Sequence, residues 1–173
     1  MNRAVLLLGS NKGESESILN KAVAEISSLA NPESKIVLSS FYKSEPWGFD
    51  AERWFLNVAL ILEIQLSAQE LLSEILKIEY RLGRVREKTE TDNLMQINSV
   101  YQSREIDIDI ILFNEDIINE VSLIVPHPRM HLRRFVLEPI VQIAPDYIHP
   151  VFNLSLFSLL EICQDTSIVW RLS

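Results

Sequence analysis

Taken as a pattern of hydrophobic and polar positions, the chain opens with Val5 to Leu8, a continuous apolar run that fits a buried strand and breaks at Gly9-Ser10-Asn11. Ile18, Leu19, Ala22, Val23, Ile26 and Leu29 then recur at helical spacing. They predict an amphipathic helix capped by Asn11 or a neighbour and ended by Asn31-Pro32. Ile36 to Tyr42 has the β-branched and aromatic content of a second strand, and Phe55 to Ile64 that of a third. Between them, Lys43 to Arg53 is a loop punctuated by Pro46 and Gly48, yet it carries Trp47 and Phe49, which a purely solvated loop would not need. Ser67-Ala68-Gln69-Glu70 is a capping box, with Leu71, Leu72, Ile75, Leu76 and Leu82 as the buried stripe behind it and Gly83 as the stop. Glu79 falls close to that stripe, where an acid is costly unless paired.

From Arg84 to Ser103 no period is sustained, which predicts a long polar loop. Arg104 to Phe113, R-E-I-D-I-D-I-I-L-F, then reads as a strand. Alternation puts Asp107 and Asp109 on one face and Ile106, Ile108, Ile110 and Leu112 on the other. Two strand steps separate the carboxylates by about 7 Å at Cβ. Either this is a strand whose wet face is acidic, or the pair holds a hard cation such as Mg²⁺. Asn57 leaves a similar choice, between tying down a loop and reading a ligand. After a turn at Asn114-Glu115-Asp116, Ile117-Ile118 is expected to pair back as a hairpin. Leu123 to Val125 lead into Pro126-His127-Pro128. Phe135 to Ile143 look helical, with Pro139 tolerable only in the first turn, and Asn153 to Gln164 offer a last short helix. The order β-α-β-β-α-β predicts an α+β, ferredoxin-like core sheet with helices on one face, followed by a C-terminal hairpin and helices.

Composition narrows the class. A chain of 173 residues, nearly half of them apolar, is expected to form a single domain over 1–173. The lone cysteine, Cys163, excludes an intramolecular disulfide and reads as core. No apolar run reaches the length of a membrane span, and the N-terminal run is too short for a signal peptide, so a cytoplasmic location without membrane contact is expected. A formal net charge of −8 argues against a nucleic-acid partner. The basic residues are nonetheless clustered, as Arg81, Arg84, Arg86 and Lys88, and as Arg129, Arg133 and Arg134. Such clusters are either solvated faces or sites for a small anion such as phosphate.

Several separated motifs now form one ordered set. They are Gly9-Ser10-Asn11, Phe41 to Gly48, Phe55-Leu56-Asn57, Gly83-Arg84-Val85-Arg86, Arg104 to Asp109, and Val125 to His131 with Arg133-Arg134-Phe135. Together these resemble the 6-hydroxymethyl-7,8-dihydropterin pyrophosphokinase family of folate biosynthesis over roughly residues 4 to 150. The resemblance implies an ATP-dependent diphosphotransferase, a monomer, that moves pyrophosphate from ATP to the pterin hydroxymethyl group and releases AMP with the help of two Mg²⁺ ions. By position, Asp107 and Asp109 match its metal-binding pair and, with Arg84 and Arg104, its catalytic residues. Ser44, Trp47, Phe55, Asn57 and Phe135 match pterin-side positions. Glu79, Arg84, Arg86, Arg104, Ile110, His127 and Arg133 match nucleotide-side positions.

The chemistry agrees with that carry-over: a flat heterocycle suits aromatic faces with an amide at its rim, and triphosphate needs cations around it. His127 reads as a phosphate contact or as part of a proline-held turn. Two departures stand out. Family members commonly carry aromatic-Gly-Pro-Arg before the acidic strand where this chain has Tyr101-Gln102-Ser103-Arg104, and the loop between Arg86 and Arg104 is about ten residues longer than in compact members. That loop is expected to close over ATP and bring Arg charge to the phosphates. The rival expectation is a non-catalytic ferredoxin-like module that binds a ligand or regulates a partner.

Overall fold

The computed structural model describes residues 1–47, 53–83 and 105–172. Its centre is one antiparallel sheet. Strand β1 (Asn2–Ser10) pairs on one side with β4 (Phe55–Ile64) and on the other with β5 (Asp107–Phe113). Two short strands, β2 (Val37–Leu38) and β3 (Tyr42–Ser44), both lie on the far edge of β4. The ferredoxin-like order is therefore realised as β5-β1-β4-β3, with β8 (Val169–Arg171) added beside β3. Helices α1 (Ser15–Ser27) and α2 (Ala68–Arg81) bury Leu19, Ala22, Ile26, Leu71, Ile75 and Ile78 against Leu6, Leu8, Leu60 and Leu62. Helices α3 (Arg134–Ile143) and α4 (Leu156–Glu161) cover the opposite face, where Val136, Leu137, Ile140, Leu156 and Leu159 meet Val5, Leu7, Ala59 and Ile61. The expectation of helices on one face thus holds for the core pair only; β1 and β4 are apolar on both sides because both sides are covered.

Several boundaries differ from the sequence reading, each for a physical reason. Strand β1 runs on through Gly9 and Ser10, because both still pair with β4. The first helix ends at Ser27, four residues before Asn31, and Glu14, with no side-chain cap, stands at its start. Asn11 is not the cap; it is buried and its side-chain amide donates to the Arg53 carbonyl at 3.4 Å. The strand expected over Ile36 to Tyr42 is split into β2 and β3, and the backbone between them is taken up elsewhere: Ser39 donates to the Ala59 carbonyl, and Ser40 to Gln142 Oε1. The capping box forms as expected, Ser67 and Glu70 each bonding the other's backbone, and Gly83 follows α2 with φ of +101°.

Beyond the acidic strand, Ile118 does not fold back on β5. It belongs to β6 (Ile118–Asn119), which pairs with β7 (Ile124–Val125) in a separate two-stranded ribbon. Asn114, at φ of +48°, turns the chain while its side chain accepts from Arg3 N–H, so the strand ends by tying itself to β1. Pro139 is the sixth residue of α3 and not in its first turn. Its missing N–H releases the Phe135 carbonyl, and burial of Val136, Leu137, Pro139 and Ile140 outweighs that lost bond. The last helix shrinks to Leu156–Glu161, started by Ser155, whose hydroxyl accepts from Ser158 N–H.

The acidic strand carries one further surprise. Its register against β1 slips by one residue between Val5 and Leu6: Val5 pairs with Leu112 and Leu6 with Ile110. Ile111 is the extra residue of a β-bulge. The slip reverses the faces beyond it, so Leu112 joins Ile111 in the α3/α4 core while Ile106, Ile108 and Ile110 stay in the α1/α2 core. Strict alternation had placed Leu112 with the three isoleucines. Among the described residues no helix is long and apolar enough to cross a membrane.

Candidate active site

The site lies on the α3/α4 face, at the end of the sheet that those helices leave open. Asp107 pairs with Gly9, Gly9 with Asn57, and Asn57 with Tyr42, so one row crosses four strands with every member on the same face. In the next row inward, Asp109 stands beside Leu7 and Ala59. At ordinary strand spacing, Asp107 and Asn57 are about 10 Å apart across the glycine. Gly9 keeps that middle clear: a Cβ there would come within 3.0 Å of Asn57 Oδ1. From the residue pattern Gly9 reads as the end of a strand. Its signal was a glycine at the close of an apolar run, which marks a close backbone approach as well as a stop.

Asn57 is 2% exposed, and its side-chain amide donates to Ser44 Oγ at 2.8 Å. That bond ties β4 to β3 and turns the carbonyl Oδ1 toward Gly9. Phe55, two residues earlier on the same face, pairs with Ser44. Across from this floor, Trp47 and Phe135 form a wall around Arg133, whose guanidinium carbon is 4.7 Å from the Trp47 ring centre and 5.8 Å from that of Phe135. Arg133 is buried, and burial lowers its pKa to about 10 against the opposing charge of Asp165, so it remains a cation at neutral pH. The sequence comparison put Arg133 with the nucleotide; here it stands among residues given to the pterin.

Two other residues given to the nucleotide side turn inward. The Ile110 side chain packs in the α1/α2 core. Glu79 is 1% exposed, and its Oε1 accepts the Ile108 N–H at 2.9 Å. It therefore fixes β5 at the residue between the two aspartates, which answers why an acid sits in the buried stripe of α2.

His127 is tied to the same strand. Its N–H donates to the carbonyl of Ile111, the bulge residue, at 2.9 Å, just after the cis peptide Val125–Pro126. Its Nδ1 accepts from Arg129 N–H at 3.3 Å, so in the neutral ring the proton is on Nε2. Burial, and then the Arg129 charge, push its pKa down to about 4, with Asp107 acting in the opposite sense. At neutral pH it is an uncharged donor close to Asp107.

Of the residues singled out from sequence, Asp107, Asp109, Asn57, Phe55, Ser44, Trp47, Phe135, Arg133 and His127 converge on this end of the sheet. Arg84, Arg86 and Arg104, with the long loop 87–103, lie outside the described residues. Among the described residues no three His, Cys, Asp or Glu side chains cluster as a metal cage. Two carboxylates on one strand face, half-exposed and two residues apart, suit Mg²⁺, which takes one or two carboxylates and fills its shell with water and phosphate.

Comparison with known proteins agrees with this geometry. Residues 5–145 match the family model for 7,8-dihydro-6-hydroxymethylpterin-pyrophosphokinase (HPPK). The 2-amino-4-hydroxy-6-hydroxymethyldihydropteridine pyrophosphokinase of Bacillus subtilis is 39% identical over 142 residues, 82% of this chain and 78% of that one. Its counterpart from Aquifex aeolicus is 35% identical over 153 residues, covering 88% and 87%. Among solved structures, a Plasmodium falciparum HPPK-DHPS superposes with a TM-score of 0.68 at 15% identity, over 92% of this chain and 45% of that chain, which establishes the shared fold. The chain belongs to the 7,8-dihydro-6-hydroxymethylpterin-pyrophosphokinase family.

Proposed function

We infer that this protein transfers pyrophosphate from ATP to the hydroxymethyl group of 6-hydroxymethyl-7,8-dihydropterin, releasing AMP, as a step of folate biosynthesis. The observation that carries the reading is the row Asp107–Gly9–Asn57, a carboxylate and an amide acceptor facing one way across a clear glycine. The amide end, with Phe55 below and Phe135 and Trp47 as the wall, takes the pterin: aromatic faces hold its ring and Asn57 meets its polar rim. The carboxylate end takes the nucleotide. Mg²⁺, two ions in our reading, would be held by Asp107 and Asp109 and would supply charge neutralisation between carboxylates and phosphates.

The pterin hydroxyl oxygen then faces the β-phosphorus. Its attack forms the new P–O bond, the bond from the β-phosphorus to the α,β-bridging oxygen breaks, AMP departs with that oxygen, and the hydroxyl proton is released to solvent. Such transfers need positioning and charge stabilisation more than a protein nucleophile. His127 contributes a neutral Nε2–H to a phosphate oxygen. Arg84, Arg86 and Arg104 bring positive charge to the phosphates, and Arg133 stands where the two substrates meet. The Ile110 main chain contacts the nucleotide, while Glu79 serves it by fixing the strand. We assign the whole of 1–173 to one pyrophosphokinase domain, acting as a cytoplasmic monomer. Mixing the protein with ATP, Mg²⁺ and the hydroxymethyl dihydropterin tests the reading: pterin-dependent AMP release is expected, and formation of ADP, or no turnover, overturns it.

A further inference from the structure

The family match ends at residue 145, yet the segment after it touches both sides of the pterin site. Asp165 Oδ2 accepts the Arg134 N–H at 2.8 Å, capping α3 from a distant part of the chain, since Arg133 at the N-cap makes no side-chain cap of its own. The other carboxylate oxygen accepts from the Ser167 N–H at 3.0 Å and from its hydroxyl, holding the following residues in a tight turn. Those residues reach the Ser44 side, the floor of the site. Ile168 N–H donates to Glu45 Oε2 at 2.8 Å, and its carbonyl accepts from Glu45 N–H at 3.2 Å. Val169 then pairs with Ser44, Trp170 with Lys43 and Arg171 with Tyr42. Trp170 also lies 5.0 Å from the ring of Trp54, the neighbour of Phe55.

We propose that residues 165–172 form a clamp that sets the width of the pterin pocket, with Asp165 as its positioning residue. This rests on the pterin assignment above. One arm fixes the N-terminus of α3, and with it Arg133 and Phe135; the other fixes Ser44 and Glu45, and with them the approach to Trp47. The two arms meet at the turn Asp165–Ser167, so the gap between Phe135 and the Ser44–Phe55 floor is set by a part of the chain that touches no substrate. A loosened clamp weakens the grip on pterin in ground state and transition state alike, which raises KM and spares kcat.

Steady-state kinetics of the full chain test this. Asp165→Ala is expected to raise the pterin KM about tenfold, the scale of a lost cap, with kcat at saturation within about twofold. Asp165→Asn, whose amide oxygen still accepts from Arg134 N–H, restores most of the affinity. Glu45→Ala loosens the other arm and is expected to raise the same KM about threefold, which keeps the test open where Asp165→Ala fails to accumulate. A destabilised tail with no positioning role gives a different signature: a smaller active fraction, hence lower kcat with unchanged KM, and that result overturns the clamp. Phe135→Ala is the control for the site itself. If it raises the pterin KM while the Asp165 and Glu45 variants do not, the clamp fails and the site stands; if none of them does, the site assignment falls and takes the clamp with it.

Discussion

On one face of the sheet, Ala4, Leu6, Leu8, Leu60, Leu62 and Ile64 meet α1 and α2 without a polar break; on the other, Val5, Leu7, Ala59 and Ile61 meet α3 and α4, and the same strands go on to Gly9 and Asn57, with Asp107 of β5 beside them. The first face is a core and the second is a core that stops early. The proposed site sits where the second helix layer runs out, because there the strands keep their rigid register yet no longer need apolar side chains. A floor built on strands holds its side chains more firmly than loops would, which is what transfer between two bound substrates requires.

This contrast is sharpest at Asp109. Asp109→Ala is expected to cut turnover at least about a thousandfold, the scale of several kcal/mol of lost charge stabilisation, with the thermal transition little changed. Near-normal turnover would reduce the acidic pair to a solvated strand edge. The opposite face should answer in the opposite way. Ile75→Ala, deep in the α1/α2 core, is expected to cost about 2–5 kcal/mol in chemical denaturation while leaving both KM values as they were. A change in pterin KM there would show that the two faces are not separable.

Asn57→Ala should fall between these. It removes an acceptor from the pterin rim and the bond to Ser44, so the pterin KM is expected to rise about 10–100-fold and the ATP KM less than about threefold. Equal losses for both substrates would mean that Asn57 only ties β3 to β4. The expected effect with the least bearing on turnover is a pH dependence of stability. The His127 pKa lies near 4 in the fold, below its usual 6.5, so as pH falls through 6.5 the unfolded chain takes up the proton first. Stability from this group is complete above pH 6.5, declines between 6.5 and 4, and levels off below. The loss is about 3 kcal/mol, and His127→Gln should make the decline shallower. Some slope will persist, because burial also depresses His131 and His149. An unchanged slope in the variant would place the titration elsewhere.

The sequence made the long, strongly periodic parts plain: β4 over Phe55–Ile64, the capping box at Ser67 and the stop at Gly83 all read directly from residue types with local physical preferences. The candidate site residues stand out as a set because each is an oddity where it stands, an Asn or Asp inside an apolar strand, a His between prolines. What escaped depends on contacts far apart in the chain. β8 is three residues long and exists because β3 offers it an edge; Asp165 is an ordinary surface acid until α3 is laid beside it. Pro139 misled for the same reason, since helix α3 is held by burial against the sheet rather than by its own backbone bonds.

The bulge at Ile111 shows how such a feature can matter without a side chain of special chemistry. Val5 already pairs with Leu112 and Leu6 with Ile110, so the ladder would close without it, and Ile111 is a surplus residue from the viewpoint of the sheet. What the surplus supplies is an anchor point: its carbonyl is where the backbone of His127 is moored. The imidazole's position beside Asp107 is thus set by a count of residues rather than by their kind. Swapping Ile111 for another apolar residue should be tolerated; deleting it would leave the strand paired and the histidine adrift.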